Sequence, residues 1–559
     1  MRASISARIW KRRWAFTPCW HVLRVDTGRR DGRRPAIPDA TRTDRHARQS
    51  ESNLAREQLW RNRVEEIEMF SDVVVVGAGN AALSAALAAA EAGAQVLVLE
   101  KASAEERGGN SRFTGGIVRF VYDGLDDVVP LVPDLSDEQI ARLDVQPYSA
   151  EAYTGDIMRM SEGKADPELT RVLVDESYPT LRWMQTLGVQ FELYQTAVRQ
   201  GRRWHFPAGA VIQFWNGGPG LTQRLFRTAE ARGLGVVYDA LVMDLLTTPE
   251  GGVQGVRAQT PEGVMDIRAG AVVLACGGFE ASPEQRVRHL GAEWQQVRVR
   301  GTRHNTGELL QRVEALGAKI GGHVHGAHAV PVDAASPEVG DLHLGDLTAR
   351  LSYPMGIMVN REAQRFIDEG MDFKSYSYTV MGPAILRQPG GVAYQIFDQQ
   401  TVERLEARYG SGSKPATAET IEALAVQLGL DPDALAQTVK TYNAAVQDRP
   451  FDPTIKDGKC TQGIEPAKTN WALRLEKPPF VAYGVCCGIT FTYGGVMTNP
   501  EGEVWRHDGT TIPGLYAAGE ITGGIFYHNY PSGAGLMLGA VFGRRAGTRA
   551  AAYAQRISA

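Results

Sequence analysis

The chain has little cysteine. Its five cysteines (Cys19, Cys276, Cys460, Cys486 and Cys487) are odd in number and form no C-x-x-C pair. That pattern excludes an iron–sulfur cluster, a zinc site and a disulfide framework, and it points to a reducing compartment, the cytoplasm. No run of eighteen apolar residues occurs, so no transmembrane segment is expected. Acidic residues are missing from the start, the first being Asp26. Residues 1–68 carry fifteen Arg and one Lys against nine Asp and Glu, a balance of +7 in a chain of net charge −4. Residues 69–559 therefore carry −11, and a body that acidic argues against nucleic acid as a partner.

Those first 68 residues resemble a transit peptide at "MRASISARIWKRRWAFTPCW" and then turn into Arg/Asp/Pro/Ser-rich sequence without apolar periodicity, which reads as disordered. A plainer reading is a mis-assigned start. Met69 opens "MFSDVVVVGAGN", where a strand naturally begins a domain, and Glu65-Glu66 can be encoded by a purine run of the kind that precedes a bacterial start codon. Translation is expected to begin at Met69.

Glycine is present in excess. The chain has 61 in 559 residues, about 11% against roughly 7% usual, so backbone must turn with positive φ or approach something closely at many positions. The most informative stretch is 71–101, "SDVVVVGAGNAALSAALAAAEAGAQVLVLEK". Four valines make a buried parallel strand. Gly77, Gly79 and Ala82 follow in G-x-G-x-x-A spacing, with Asn80 and Ala81 opening an alanine-rich helix over 81–92. In such a turn the first glycine bends the chain, the second admits a pyrophosphate, and the small third residue keeps helix against sheet. A second strand ends at Glu100, where a carboxylate binds the ribose hydroxyls of a dinucleotide, with Lys101 beside it.

Three further segments have the same small-residue character. "ERGGNSRFTGG" (106–116) supplies Gly108, Gly109, Asn110, Ser111, Thr114, Gly115 and Gly116. "VVLACGGFE" (272–280) supplies Ala275 and Gly277, and "GLYAAGEITGG" (514–524) supplies Gly519 and Glu520. Several loops converging on one extended ligand suit FAD better than NAD. The set resembles the flavoprotein family of fumarate reductases and succinate dehydrogenases, in which all four segments line FAD. Covalently flavinylated members carry a histidine in the loop matching 106–116. Asn110 and Ser111 stand there in this chain, so the FAD is expected to be noncovalent.

The resemblance implies an α/β fold: a Rossmann-type, glutathione-reductase-like FAD domain over 69–320 and 485–559, with an inserted α+β capping domain over 321–484. Two helices joined at Gly429, within "TAETIEALAVQLGL" (417–430) and "DPDALAQTVKTYNAAV" (431–446), are read inside the insertion. In such a family the cap carries catalytic groups, and here it implies His328 in "HVHGAHAVPVD" and Arg365 in "NREAQRFIDEG". His328 is expected to stabilise charge on the group that acidifies a C–H bond, and Arg365 to exchange the proton through a relay that includes Asp341 or Asp368. The other reading of Arg365 is a salt bridge with Asp368 or Glu369, and that of His323 and His325 is polar surface.

"GEITGGIFYHNYPSGAGLMLGAVFGRRAG" (519–547) resembles the family's last FAD segment. It implies that the backbone of Ser532, Gly533, Gly535 and Leu536 begins a helix whose N–H groups meet the flavin. Fumarate reductases place a substrate-binding arginine where this chain has Tyr530, and a histidine where it has Phe491. His528 and Asn529 are the other candidate substrate contacts. The Tyr530 arrangement is similar to that of FAD-dependent tricarballylate dehydrogenases, and less closely to 3-ketosteroid dehydrogenases. The expected activity is oxidation of a CH–CH bond in a small polycarboxylic acid, tricarballylate to cis-aconitate in type. The alternatives are 3-ketosteroid dehydrogenation, enoate reduction and a non-catalytic flavin electron-transfer subunit. Electrons are expected to leave to a separate acceptor, an iron–sulfur and haem membrane protein or a quinone, which implies peripheral placement at the inner membrane face. No metal site is expected.

Overall fold

A computed structural model describes residues 69–559 apart from 195–197, 201 and 207, so the expectations for residues 1–68 lie outside the described residues. The chain enters through β1 (Met69–Val76), α1 (Asn80–Glu91) and β2 (Val96–Leu99), each within two residues of its expected limits. After α2 (Gly217–Ala231) come β3 (Gly235–Val237), β4 (Leu241–Thr247), β5 (Val253–Thr260) and β6 (Gly263–Leu274). A second group follows: β7 (Arg298–Val299), β8 (Ile320–Asp333), β9 (Ile357–Asn360), α3 (Lys374–Leu386), β10 (Val392–Phe397), β11 (Ala416–Ala418), α4 (Ile421–Leu428), α5 (Pro432–Ala445) and β12 (Phe480–Val496). The chain then returns through β13 (Glu503–Trp505), β14 (Thr511–Ala517) and α6 (Ala534–Ser558).

The first sheet runs β13-β14-β6-β1-β2-β3, with β5 and β4 appended to β6. Its centre is parallel, Val73–Val76 lying between Ala271–Leu274 and Val96–Leu99. The four valines serve both faces: Val73 and Val75 join the core under α1 and α6, whereas Val74 and Val76 join the core on the opposite side. That is why β1 reads as an unbroken apolar run rather than an alternating one. The second sheet is built on β12, which pairs with β7, β8, β10 and β11, with β9 beyond β10. β12 crosses the boundary expected at residue 485.

The first of the paired helices begins later than the sequence suggests, and the second begins where expected. Residues 416–418 extend β12's sheet as β11, and Thr420 caps α4 by accepting a hydrogen bond from Ala423 N–H. Gly429 ends α4 at φ 69°, and Asp431 caps α5 with Pro432 at its first position.

One helix contact went unread in the sequence. Gly539, Gly543 and Gly547 of α6 face α1 at four-residue spacing. A Cβ on Gly543 would stand 2.4 Å from Ala81 O, and one on Gly547 would stand 2.0 Å from Ala85 O. Only glycine permits that backbone approach. The signal was available as G-x-x-x-G repeated through "GLMLGAVFGRRAG".

Arg365 and Glu369 form a buried ion pair beside β9, with side chains 5% and 0% exposed. Arg365 Nε and Nη2 donate to the two Glu369 oxygens at 3.1 and 2.6 Å, Nη1 donates to Pro466 O at 2.6 Å, and Met358 N–H donates to Glu369 at 2.7 Å. Removing one partner leaves an uncompensated charge in the core, whereas replacing both by apolar groups does not. Arg365→Met is expected to cost about 3–5 kcal/mol in urea unfolding, and Arg365→Met with Glu369→Leu to recover most of that loss. Equal midpoints for wild type and Arg365→Met contradict this assignment.

Candidate active site

Two cavities meet at the C-terminal end of the first sheet. The larger, about 1430 Å³, runs from the 110–116 loop past His328 and Tyr530 towards residues 403–408. The smaller, about 130 Å³, is lined by Gly77, Gly79, Glu100, Ala275 and Gly277. Asn80, Ala81, Asn110, Ser111, Thr492 and Glu520 line both.

The floor follows from local backbone rules. Gly77 turns at φ 103°, and a Cβ there would lie 2.4 Å from Ala275 O, so the turn after β1 is pressed onto the end of β6. The N-caps of α1 and α6 are Gly79 and Gly533, and neither makes a side-chain cap hydrogen bond. At α1 the Asn80 N–H donates instead to Ser111 Oγ at 3.0 Å, and the positive end of each helix dipole favours an anion. Asn80 joins the two helix starts, its Nδ2 donating to Leu536 O at 2.8 Å. On the wall shared by both cavities, Asn80 Oδ1 and Thr492 Oγ1 are buried without a hydrogen-bond partner. Buried polar atoms of that kind call for a ligand, and a nucleotide with a pyrophosphate and a heteroaromatic ring fits them.

Gly109, Thr114, Gly115, Gly116, Gly519, Ser532, Gly535 and Leu536 also line the cavities, whereas Ala82, Gly108 and Gly533 line neither. Ala82 is fully buried and keeps α1 on the sheet. Lys101 lies at the wall, but its ammonium goes to Glu308 at 2.6 Å, to His304 O at 3.2 Å and to Thr306.

Asn110 has a role the sequence did not show. Its Nδ2 donates to Glu280 Oε1 at 2.6 Å and to Thr490 O at 2.7 Å, and its Oδ1 accepts from Thr302 N–H at 2.9 Å. Glu280 is fully buried, the Glu520 carboxyl beside it is half-buried, and Asn305 Nδ2 also donates to Glu280 at 2.7 Å. Burial, then the Glu280 charge, pushes the Glu520 carboxyl well above the usual carboxylate range, so the pair shares a proton.

His328 lies on β8, 3% exposed, on the wall of the large cavity. Both ring nitrogens are buried without a partner. The ring stacks on Phe491 with centroids 4.6 Å apart and meets Tyr378 and Tyr530 edge-on, each at 5.1 Å. Burial, and then the Arg300 guanidinium, hold the imidazole well below its usual pKa, so it is neutral. Tyr530 is 6% exposed and accepts from Gly533 N–H at 2.9 Å. Burial raises its phenol and that of Tyr378, so both are neutral.

Three expectations are corrected. Arg365 lines neither cavity, and Glu369 and Pro466 O take its guanidinium, so it is not placed to exchange a proton with a substrate there. The relay candidates fail likewise: Asp341 is exposed and receives His343 N–H, while Asp368 receives Thr469 and Gly370. His528 and Asn529 brace their loop rather than line the cavity. His528 sits at φ 55° with Lys164 at 2.8 Å, and Asn529 Nδ2 donates to Tyr376 O at 2.7 Å while its Oδ1 receives Tyr530 N–H. In their place the large cavity is lined by Arg300, Asp346, Lys374, Glu406 and Arg408, none of which the sequence singled out.

Residues 72–536 match the family described as FAD binding domain. A fumarate reductase (cytochrome) of Shewanella frigidimarina is 29% identical over 492 residues, covering 87% of this chain and 78% of that protein. A urocanate reductase of Eggerthella lenta is 28% identical, covering 93% and 80%. The open conformation of a flavocytochrome c3 fumarate reductase superposes with TM-score 0.67 at 26% identity, over 89% of this chain and 81% of that one. The 3-ketosteroid-Δ4-(5α)-dehydrogenase of Rhodococcus jostii RHA1, in complex with 4-androstene-3,17-dione, gives 0.64 at 26% identity, over 88% and 98%. Glycine turns, glycine-capped helix starts and a cavity that suits a nucleotide thus coincide with the family match: the chain belongs to the FAD binding domain family and is an FAD-dependent oxidoreductase with a capping domain.

Proposed function

We propose that this FAD-dependent oxidoreductase forms a C=C bond next to a carboxylate in a small polycarboxylic acid, in the manner of tricarballylate going to cis-aconitate. The observation that carries the reading is His328, a buried neutral imidazole with two unpartnered nitrogens on the wall of the large cavity. FAD, when bound, supplies a hydride acceptor at N5. His328 N–H donates to an oxygen of the carboxylate that acidifies the neighbouring C–H bond, in a site where water does not compete for the bond. Phe491 fixes the ring by stacking, and Tyr530 and Tyr378 close the wall on either side. The substrate loses one hydrogen as hydride to the flavin and the neighbouring one as a proton to water in the solvent-connected part of the cavity.

In this reading residues 69–320 with 485–559 hold FAD and residues 321–484 cap it, with β12 shared between the two parts. Electrons leave to a separate acceptor, an iron–sulfur and haem partner or a quinone. Among the described residues no helix is long and apolar enough to cross a membrane.

A second reading is favoured by the aromatic wall of Phe491, Phe526, Tyr530 and Tyr378, together with the likeness to a ketosteroid dehydrogenase: a 3-ketosteroid held by Tyr530. The test is anaerobic mixing of the yellow protein with tricarballylate, succinate and 4-androstene-3,17-dione while the visible flavin band is followed. Bleaching by tricarballylate alone is the expected result. Bleaching by the steroid alone overturns the polycarboxylate reading. No bleaching, with rapid reoxidation of dithionite-reduced flavin by an enoate, reverses the direction to that of a reductase.

A further inference from the structure

Five ionised side chains on the large cavity form one continuous alternating chain. Arg300 pairs with Asp346 Oδ1, and Asp346 Oδ2 receives Arg408 Nη1 at 2.5 Å. Arg408 Nε pairs with Glu406 Oε2 at 2.8 Å, and Glu406 Oε1 pairs with Lys374. All five are at least three-quarters buried. Burial works to raise both carboxyls, but Arg300 and Arg408 outweigh it at Asp346, and Arg408 and Lys374 outweigh it at Glu406, so both stay ionised.

The count of charges along this chain is decisive. Three cations alternate with two anions, both ends are cations, and one positive charge is left over inside the cavity. The other Arg, Lys and carboxyl residues on the wall do not cancel it: Arg112, Arg404 and Lys456 stand against the Glu192 and Glu403 carboxylates, since Glu520 shares a proton with Glu280. An excess buried charge is costly unless something of opposite sign meets it.

The ends also have donors to offer. Arg300 Nη1 goes to Thr490 Oγ1 at 3.1 Å, but its Nε is buried with no partner. Lys374 Nζ gives one N–H to Glu406 and one to Tyr194 Oη at 3.3 Å, and an ammonium has three. The chain borders the cofactor floor, since a Cβ on Gly115 would lie 2.7 Å from Asp346 Oδ2. At that same end Arg300 is the charged group felt most strongly by His328.

We propose that Arg300 and Lys374 are the two ends of a carboxylate-binding wall that selects an acid with more than one carboxylate, one group lying at Arg300 beside His328 and another at Lys374. The inference rests on the polycarboxylate reading and deepens it. A monocarboxylate fills only one end and leaves the excess charge poorly matched. An aliphatic polycarboxylate of suitable span meets both cations while its C–H bonds lie against the cofactor side of the cavity.

The test is anaerobic equilibrium titration of the FAD-loaded full chain, read from flavin absorbance, with tricarballylate and with butyrate. Wild type, Lys374→Met, Lys374→Arg and Arg300→Met are compared. Lys374→Met leaves the remaining four charges balanced, and Glu406 keeps Arg408. It is expected to weaken tricarballylate by at least about tenfold, the scale of one charge-assisted hydrogen bond, with butyrate unchanged and FAD content normal. Lys374→Arg is expected to restore most of the affinity, and Arg300→Met to weaken both acids. If wild type takes tricarballylate and Lys374→Met takes it equally well, the wall is overturned while the polycarboxylate reading survives. If no polycarboxylate perturbs the wild-type flavin and 4-androstene-3,17-dione does, the reading itself fails, and the wall with it.

Discussion

Everything at the site depends on how closely α1 and α6 approach. The two helices lie far apart in sequence, yet their starts share one floor: Asn80 Nδ2 reaches Leu536 O at 2.8 Å, and Gly79 and Gly533 are the two caps. That meeting requires backbone-to-backbone contact further along, where Gly543 and Gly547 lie against Ala81 O and Ala85 O. Any side chain on α6 at these positions tilts one helix away from the other. The turn after β1, the 110–116 loop and the start of α6 then no longer form one continuous wall.

On that floor the chain assembles a site whose polar groups follow two different rules. Near the cofactor they are neutral or share a proton: His328, Tyr378 and Tyr530 are uncharged through burial, and Glu280 and Glu520 hold one proton between them under the amides of Asn110 and Asn305. Further out they are ionised and interlocked from Arg300 to Lys374. Neutral donors stabilise charge that develops during a reaction. Fixed charges select what enters. In the polycarboxylate reading proposed above, this division separates recognition of the substrate from the chemistry.

How much of this could be read in the sequence depends on how local each signal is. The β1–turn–α1–β2 unit was fully legible, because four valines, two glycines and Glu100 lie within one short stretch whose order has a single mechanical reading. His328 was singled out through the resemblance of its segment, and it lies on the cavity wall stacked against Phe491. Arg365 misled for a physical reason: a partner four residues ahead is as consistent with an internal ion pair as with an active site, and the buried Glu369 took the guanidinium. His528 and Asn529 look like binding groups in one dimension, but His528 is taken by Lys164 and Asn529 by Tyr376 O on α3, so they fasten their loop to its neighbours. The charged wall was beyond reach, since Asp346 and Arg408 meet across 62 residues and Lys374 and Glu406 across 32, with nothing local marking any of them.

The most direct measurement of the account is the FAD content of Gly543→Ala after gel filtration, with far-UV circular dichroism as the check on folding. Alanine is the better helix former by about 1 kcal/mol, so propensity alone favours the variant. Overpacking a Cβ onto Ala81 O at 2.4 Å works against it by roughly 1–3 kcal/mol, at the contact that aligns the two helix starts. The account predicts a folded, helical protein that has lost its yellow colour. A variant that keeps full FAD occupancy and an unchanged visible spectrum contradicts the claim that this seam sets the cofactor floor.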